Sequence, residues 1–329
     1  MIELHCHLDG SLSKEDVAYL CRLNHKDVDV DAVKLSADKS VHSLTDYLSC
    51  FDFPISLLQT SESLTYAAYS LFKRLAKQGI LYAEVRFAPQ QSTNQGLSQE
   101  MAAKAVVQGM EIAKREVGIA GGILLCLMRG GNTHAANFET IDVAEELLGK
   151  GVCGIDLAGA EALYPTSDYE KEFRLAREKA IPFTIHAGEA SGSESIWQAV
   201  RFGARRIGHG VRSIEDPQLL SFLSGARIGL EVCPTSEVDT RCIASYEDCP
   251  ILTFLSKDVL FCLGADDMTI SSISLPEEFA KATKAFNLSV GQKKTLLLNA
   301  VEMAFLSTEQ KDFLKEEVLK KLQDPKDDF

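Results

Sequence analysis

Short apolar runs, each followed by a longer stretch with helical spacing, recur along the 329-residue chain. The first run is IELHCH, residues 2–7, and it predicts a strand. Further strands are predicted at 80–88 (ILYAEVRFA), 121–129 (GGILLCLMR), 154–159 (GIDLAG), 183–189 (FTIHAGE), 206–210 (RIGHG), 227–234 (RIGLEVCP) and 259–267 (VLFCLGADD). Helices are expected between them. One follows Ser13, which forms a capping box with Asp16, and others span 98–116, 137–150, 168–179, 193–202 and 216–223, with partial helix over 246–258. Two S-x-x-Q boxes, Ser289 with Gln292 and Ser307 with Gln310, open the last two helices. Residues 27–39 read as loop and 323–329 as a frayed tail.

Eight short apolar strands alternating with helices imply right-handed βαβ units and a parallel sheet covered on both faces. Eight such units fit a closed (β/α)8 barrel, expected here as a single domain over residues 1–329. An open doubly wound sheet is the alternative, but it calls for a phosphate-binding glycine loop. Neither GxGxxG nor GxxxxGK[ST] occurs. Residues 40–76 have helical spacing, broken by Pro54. They read as an addition to the minimal barrel after strand one, placed to lie over one end as a lid.

Composition narrows the partners. The formal net charge is −13, which repels a phosphate backbone and favours a neutral or cationic small molecule over nucleic acid. No apolar run approaches the roughly 20 residues that span a bilayer, and the N-terminus has no secretory pattern. Nine cysteines without CxxC spacing read as reduced, mostly buried thiols, so a cytoplasmic location is expected.

The chemistry lies where predicted strands end. In a (β/α)8 barrel these ends form the functional face. They carry His5, His7 and Asp9; His186 and Glu189; His209; and Asp266 with Asp267. His25, His42 and His134 fall in polar loops or at helix ends and are left out. A bland alternative is that these polar groups satisfy one another without a metal. Their types point elsewhere. His5 and His7, two apart in a strand, face the same way. With His186 they supply neutral nitrogens, and Asp266 supplies a carboxylate, a set that suits zinc, with iron, cobalt or manganese as the alternatives. Glu189 reaches the same cavity as a proton donor, with His209 and Asp267 left as base and substrate-orienting group.

IELHCHLDG, GIDLAG, IHAGE, IGHG, EVCPTS and the DD of GADDM, in this order, resemble the adenosine deaminases, and the resemblance covers essentially the whole chain. It implies a zinc-dependent hydrolase on a (β/α)8 barrel, with one Zn2+ per chain. It would convert adenosine and 2′-deoxyadenosine to inosine and 2′-deoxyinosine with release of ammonia. By this resemblance His5, His7, His186 and Asp266 are the metal ligands. Glu189 protonates purine N1 as an activated water attacks C6, and His209 helps deprotonate that water. His7, Asp9, Gly159 and Asp267 contact the nucleoside: Asp9 at the ribose 5′-hydroxyl, the Gly159 N–H at N3, and Asp267 at N7.

Two motifs depart from the family's pattern. Glu237 stands where Asn commonly follows CPTS, and Gly264, Ala265, Asp266, Asp267 and Met268 stand where NTDDP is common. Relatives acting on free adenine tend to carry Glu in place of Asp9, so Asp9 favours a nucleoside. Another 6-aminopurine, either adenine or a 5′-modified adenosine, and a purine-binding relative without turnover are the alternative readings.

Overall fold

The computed structural model describes residues 1–37, 41 and 43–322. His42 and the tail at 323–329 lie outside them. In chain order the elements are β1 (Ile2–His7), α1 (Lys14–Leu23), α2 (Leu44–Leu48), α3 (Asp52–Leu57), α4 (Ser61–Lys77), β2 (Tyr82–Phe87) and α5 (Gln99–Val117). Then come β3 (Ala120–Met128), α6 (His134–Leu147), β4 (Val152–Ala158), α7 (Glu170–Glu178), β5 (His186–Ala187), α8 (Ser193–Phe202), β6 (Arg206–His209) and α9 (Pro217–Ala226). The chain finishes with β7 (Gly229–Val232), α10 (Pro234–Asp239), α11 (Ile251–Ser256), β8 (Phe261–Leu263), α12 (Leu275–Phe286), α13 (Val290–Met303) and α14 (Thr308–Lys321).

Every strand pairing is parallel, in the orders β1-β2-β3-β4 and β5-β6-β7-β8. Parallel bridges join the two sets at both seams, Ile155 to Phe183 and Cys6 to Asp266. The eight strands therefore close on themselves, as expected of the (β/α)8 barrel. The seams also explain why β5 and β8 are shorter than the sequence predicts. At β8, Gly264 N still bonds Val232 O at 2.9 Å. Two residues on, the chain has crossed to β1: Asp266 N bonds His5 O at 2.7 Å and His7 N bonds Asp266 O at 2.9 Å.

The capping boxes at Ser13, Ser289 and Ser307 form as expected. A fourth, Ser274 with Glu277, opens α12, for which no helix was predicted. The reading of 40–76 as one addition is corrected. Helix α4 is the regular crossover between β1 and β2 and packs along α5. Within that stretch only α2 and α3 are extra, and α1 is a further added helix between β1 and β2. Pro54 does not make the break, since it sits in the first turn of α3, where a missing N–H is harmless. The break falls at Leu58, whose backbone (φ −100°, ψ 46°) ends α3 ahead of the Thr60 cap of α4.

The core between strands and helices is apolar, but the barrel interior is not. Glu84, Arg86, Asp156, Arg206 and Glu231 point inward and are 0–1% exposed. Ion pairs link Glu84 to Arg206 (2.7 Å), Arg206 to Glu231 (2.6 Å), Glu231 to Arg86 (2.6 Å) and Arg86 to Asp156 (3.1 Å). The turn after α13 plugs the lower end. Phe305 N donates to Glu84 Oε1 at 2.6 Å, and its ring stacks 3.8 Å from the Arg206 guanidinium. Among the described residues no helix is long and apolar enough to cross a membrane. No disulfide joins the nine cysteines, seven of which are buried.

Candidate active site

The strand ends bring all eight predicted ionisable residues to one end of the barrel. Strand alternation sends His5 and His7 off β1 on the same side. His7 Nε2 lies 3.2 Å from His186 Nε2, and both His5 Nε2 and His7 Nε2 lie 3.3 Å from Asp266 Oδ1. Two imidazole nitrogens facing each other at that distance repel unless a proton or a cation lies between them. Tetrahedral zinc with ligand bonds of about 2.0–2.1 Å sets its ligand atoms about 3.3–3.4 Å apart. The residues present fit such an ion. His5 Nε2 is buried and has no hydrogen-bond partner among the described residues, as an unprotonated ligand nitrogen requires. His209 also borders the cluster, its ligand atom within 4.8 Å of those of His5, His186 and Asp266. Its Nε2 lies 3.9 Å from Asp266 Oδ2, against 3.3 Å from His7 Nε2 to Asp266 Oδ1.

The interior ion pairs orient two of these histidines from below. His5 Nδ1 bonds Glu231 Oε2 at 2.7 Å, and His186 Nδ1 lies 2.9 Å from Asp156 Oδ2. Arg86 bridges both carboxylates and also donates to Leu4 O at 2.6 Å. Burial opposes ionisation of Asp156, but His186 and Arg86 outweigh it and hold its carboxyl well below the usual range. At Glu231 burial is likewise overcome by Arg86 and Arg206. A carboxylate behind each imidazole fixes its tautomer and leaves Nε2 free for a metal. Burial keeps His7 well below its ordinary value and brings His186 down to about 4, so both are neutral in use.

The acid–base groups stand beside this cluster. Glu189 is 4% exposed, and burial pushes its carboxyl up to about 8. Its loop is fixed by a single buried carboxylate. Glu161 accepts the backbone N–H groups of Gly188, Glu189, Ala190 and Ser191 at 2.8–3.1 Å, and the Ser195 hydroxyl as well. His209 Nε2 sits 3.7 Å from Glu189 Oε2, and its Nδ1 meets Glu237 Oε1 at 3.0 Å. Burial and the charge of Asp266 raise Asp267 well above the carboxylate range, so it is protonated. Tyr47 of α2 donates to Asp267 Oδ2 at 3.0 Å, which leaves the unpartnered Oδ1 to carry the proton. Asp267 packs against Gly10, where a Cβ would come within 1.8 Å of Oδ1. Gly208 does the same for the ligand set, since a Cβ there would sit 3.0 Å from His5 Cε1.

These groups line a cavity of about 240 Å³. Asp9 and Gly159 border it, while Leu44, Tyr47, Leu48, Phe51 and Ile55 of the α2–α3 segment close over it. Burial raises Asp9 to about 6. A larger hollow of about 690 Å³ opens at the opposite end of the barrel, but none of the histidines borders it. Sequence reasoning missed the supports: Arg86, Asp156, Glu161, Glu231 and Tyr47. For three of them the signal was there, a lone charge inside a short apolar strand.

The family model described as Adenosine deaminase matches residues 1–321. An adenosine deaminase of Haemophilus ducreyi is 41% identical over 323 residues, covering 95% of this chain and 94% of the relative. Among solved structures, an adenine deaminase from Arthrobacter aurescens superposes with a TM-score of 0.88 at 25% identity, covering 97% of this chain and 98% of that one. An N6-methyl-AMP deaminase from Arabidopsis thaliana gives 0.84 at 26% identity, covering 97% and 96%. With its motifs in order, its strand-end histidines gathered on one point and relatives matched end to end, the chain belongs to the adenosine deaminase family.

Proposed function

We propose that the protein hydrolyses the 6-amino group of adenosine and 2′-deoxyadenosine, giving inosine or 2′-deoxyinosine and ammonia, and that residues 1–329 act as one deaminase domain. The observation that carries this reading is the convergence of His5, His7, His186 and Asp266 at one end of the barrel, with His7 3.2 Å from His186 and both His5 and His7 3.3 Å from Asp266, beside a carboxylic acid that burial keeps protonated. One zinc ion per chain, held by those four residues, supplies a water of lowered pKa at the cavity floor.

The remaining steps fall to the chain's own groups. Attack at C6 breaks the aromaticity of the pyrimidine ring and puts charge on N1. Glu189, protonated at neutral pH, delivers its proton there. His209 takes the proton of the attacking water through Nε2, and as the C6 hydroxyl becomes a carbonyl a proton passes to the amino group, so the C6–N bond breaks and ammonia leaves. Asp267 donates from Oδ1 to the unprotonated N7. Asp9 meets the ribose 5′-hydroxyl, the Gly159 N–H meets N3, and His7 borders the nucleoside as well as the ion. The α2–α3 segment covers the bound base, and excluding water there strengthens each of these contacts.

The test follows the ultraviolet spectrum of adenosine with zinc-loaded protein, a chelated control and Glu189→Gln. Conversion to inosine that disappears in both controls supports the reading. Adenine and a 5′-modified adenosine run alongside, since an adenine deaminase and an N6-methyl-AMP deaminase share the fold. Turnover of one of these in place of adenosine would move the substrate assignment. A zinc-loaded protein that converts none of them would refute the deaminase reading.

A further inference from the structure

Glu237 lies in α10, behind His209 as seen from the cavity, which it does not line. Its side chain is completely buried. One carboxylate oxygen meets His209 Nδ1 at 3.0 Å. The other, Oε2, has no hydrogen-bond partner among the described residues. A buried carboxylate with an empty oxygen is destabilising unless its one partner compensates, and an apolar residue of similar size would be less costly. Stability therefore does not account for a glutamate at this position, and its hold on His209 does.

Both ends of the contact are held. The Glu237 carbonyl accepts from Cys242 N at 2.9 Å and Ile243 N at 3.1 Å, so the chain after α10 folds back and locks its backbone. His209 sits at φ 63°, in the left-handed region that non-glycine residues seldom occupy. Gly210 follows it at φ 74°. With its backbone turned in this way, the imidazole needs a second tether to keep a fixed direction.

We propose that Glu237 is a positioning residue, whose carboxylate holds His209 as the Nδ1–H tautomer and aims Nε2 at the gap between Glu189 and Asp266. The inference rests on the deaminase reading above, in which Nε2 receives a proton. Only an unprotonated Nε2 can do that, and an acceptor at Nδ1 selects this tautomer. Asp156 and Glu231 do the same for metal ligands; Glu237 does it for the base.

The test compares wild type, Glu237→Gln and Glu237→Leu, all zinc-loaded. Kinetics with adenosine are paired with 15N-histidine NMR, which reports the His209 tautomer directly. Glutamine keeps the volume and presents either an oxygen or an N–H to Nδ1, so this variant folds even if leucine does not. The expected result is a fall in kcat of about 10- to 100-fold in Glu237→Leu with Nδ1–H character lost from His209, and a smaller change in both in Glu237→Gln, whose neutral amide oxygen is a weaker acceptor than the carboxylate, with KM and zinc content unchanged in both variants. Unchanged kcat with an unchanged tautomer would overturn the inference. Loss of zinc along with activity would also overturn it, by placing the effect in the ligand set. If wild type converts no aminopurine, the deaminase reading fails by itself, and the NMR comparison still decides whether Glu237 holds His209.

Discussion

Among the described residues Arg86 touches the carboxylates behind both His5 and His186, two of the proposed metal ligands, so Arg86→Gln is the sharpest perturbation of this barrel. The guanidinium donates to Asp156 Oδ2 at 3.1 Å and to Glu231 Oε2 at 2.6 Å, with no exposure to solvent. Removing its charge leaves two buried carboxylates close together and short of a cation. Breaking one partner of a buried pair costs about 3–5 kcal/mol. For a chain of this length that is a fall in melting temperature of the order of 4–7 °C. The sign with pH is fixed. Both carboxyls are held below their usual range in the folded protein. Their contribution is present above the unfolded pKa and is lost as pH falls through the folded value. The deficit of the variant should therefore be largest near neutral pH and shrink in acid.

The same substitution should loosen zinc, because His5 and His186 take their orientation from those carboxylates. Affinity should drop by about 10- to 100-fold. Unfolding of the metal-free protein followed by circular dichroism measures the first quantity, and competition with a chelator measures the second. Adding Asp156→Asn and Glu231→Gln to Arg86→Met removes the stranded charges. That triple variant should recover most of the stability but not the zinc affinity. A Gln variant within about 1 kcal/mol of wild type, the worth of a surface pair, with unchanged zinc affinity would refute the reasoning. So would a triple variant that regains both.

Glu189 must carry a proton to give one away, and burial raises it to about 8, so kcat/KM should hold through neutral pH and decline above that point. A profile flat well beyond it would count against Glu189 as the acid. Asp267→Asn keeps a donor beside Tyr47 and should retain far more activity than Asp267→Ala; equal losses in steady-state kinetics would contradict a protonated Asp267. Gly10→Ala places a Cβ 1.8 Å from Asp267 Oδ1. The acid must move, so KM for adenosine should rise while zinc content, read by metal analysis, stays unchanged.

What the sequence made legible was local. The His-x-His spacing, the strand–helix alternation and the Ser-x-x-Gln boxes each depend on neighbours a few residues apart, and all of them recur in the structure. What it hid was set by register between distant strands. Arg86 and Glu231 are 145 residues apart, and Arg86 and Asp156 are 70 apart. Nothing in YAEVRF says which carboxylate its arginine will meet. A charge inside so short an apolar strand still says that it must meet one. The Ser274–Glu277 box of α12 was readable in the same way as the others, and the helix after it, with Leu275, Phe279 and Ala282 buried on one face, was passed over. The α2–α3 cover was expected at one end of the barrel, but Tyr47 became a site residue only once the fold set it against Asp267.

The site is supported from two directions, and this division has a measurable consequence. From below, the interior ion pairs reach His5 and His186. From the side, Glu161 grips the Glu189 loop and Glu237 grips His209, and neither touches a residue of the tight ligand set. Charge explains the lower arrangement. Arg86 and Arg206 face Glu84, Asp156 and Glu231, which leaves one negative charge, and Asp266 adds another. Two negative charges under a buried histidine cluster match a divalent cation, so the interior of the barrel would serve as the counter-charge of the proposed ion, and it supplies rigidity in place of the usual apolar layers. Substitutions below should then move stability and zinc affinity together, whereas substitutions at the side should move kcat and leave both alone. A side variant that released zinc, or a lower variant that lowered kcat at full zinc occupancy and unchanged stability, would show that the two supports act as one.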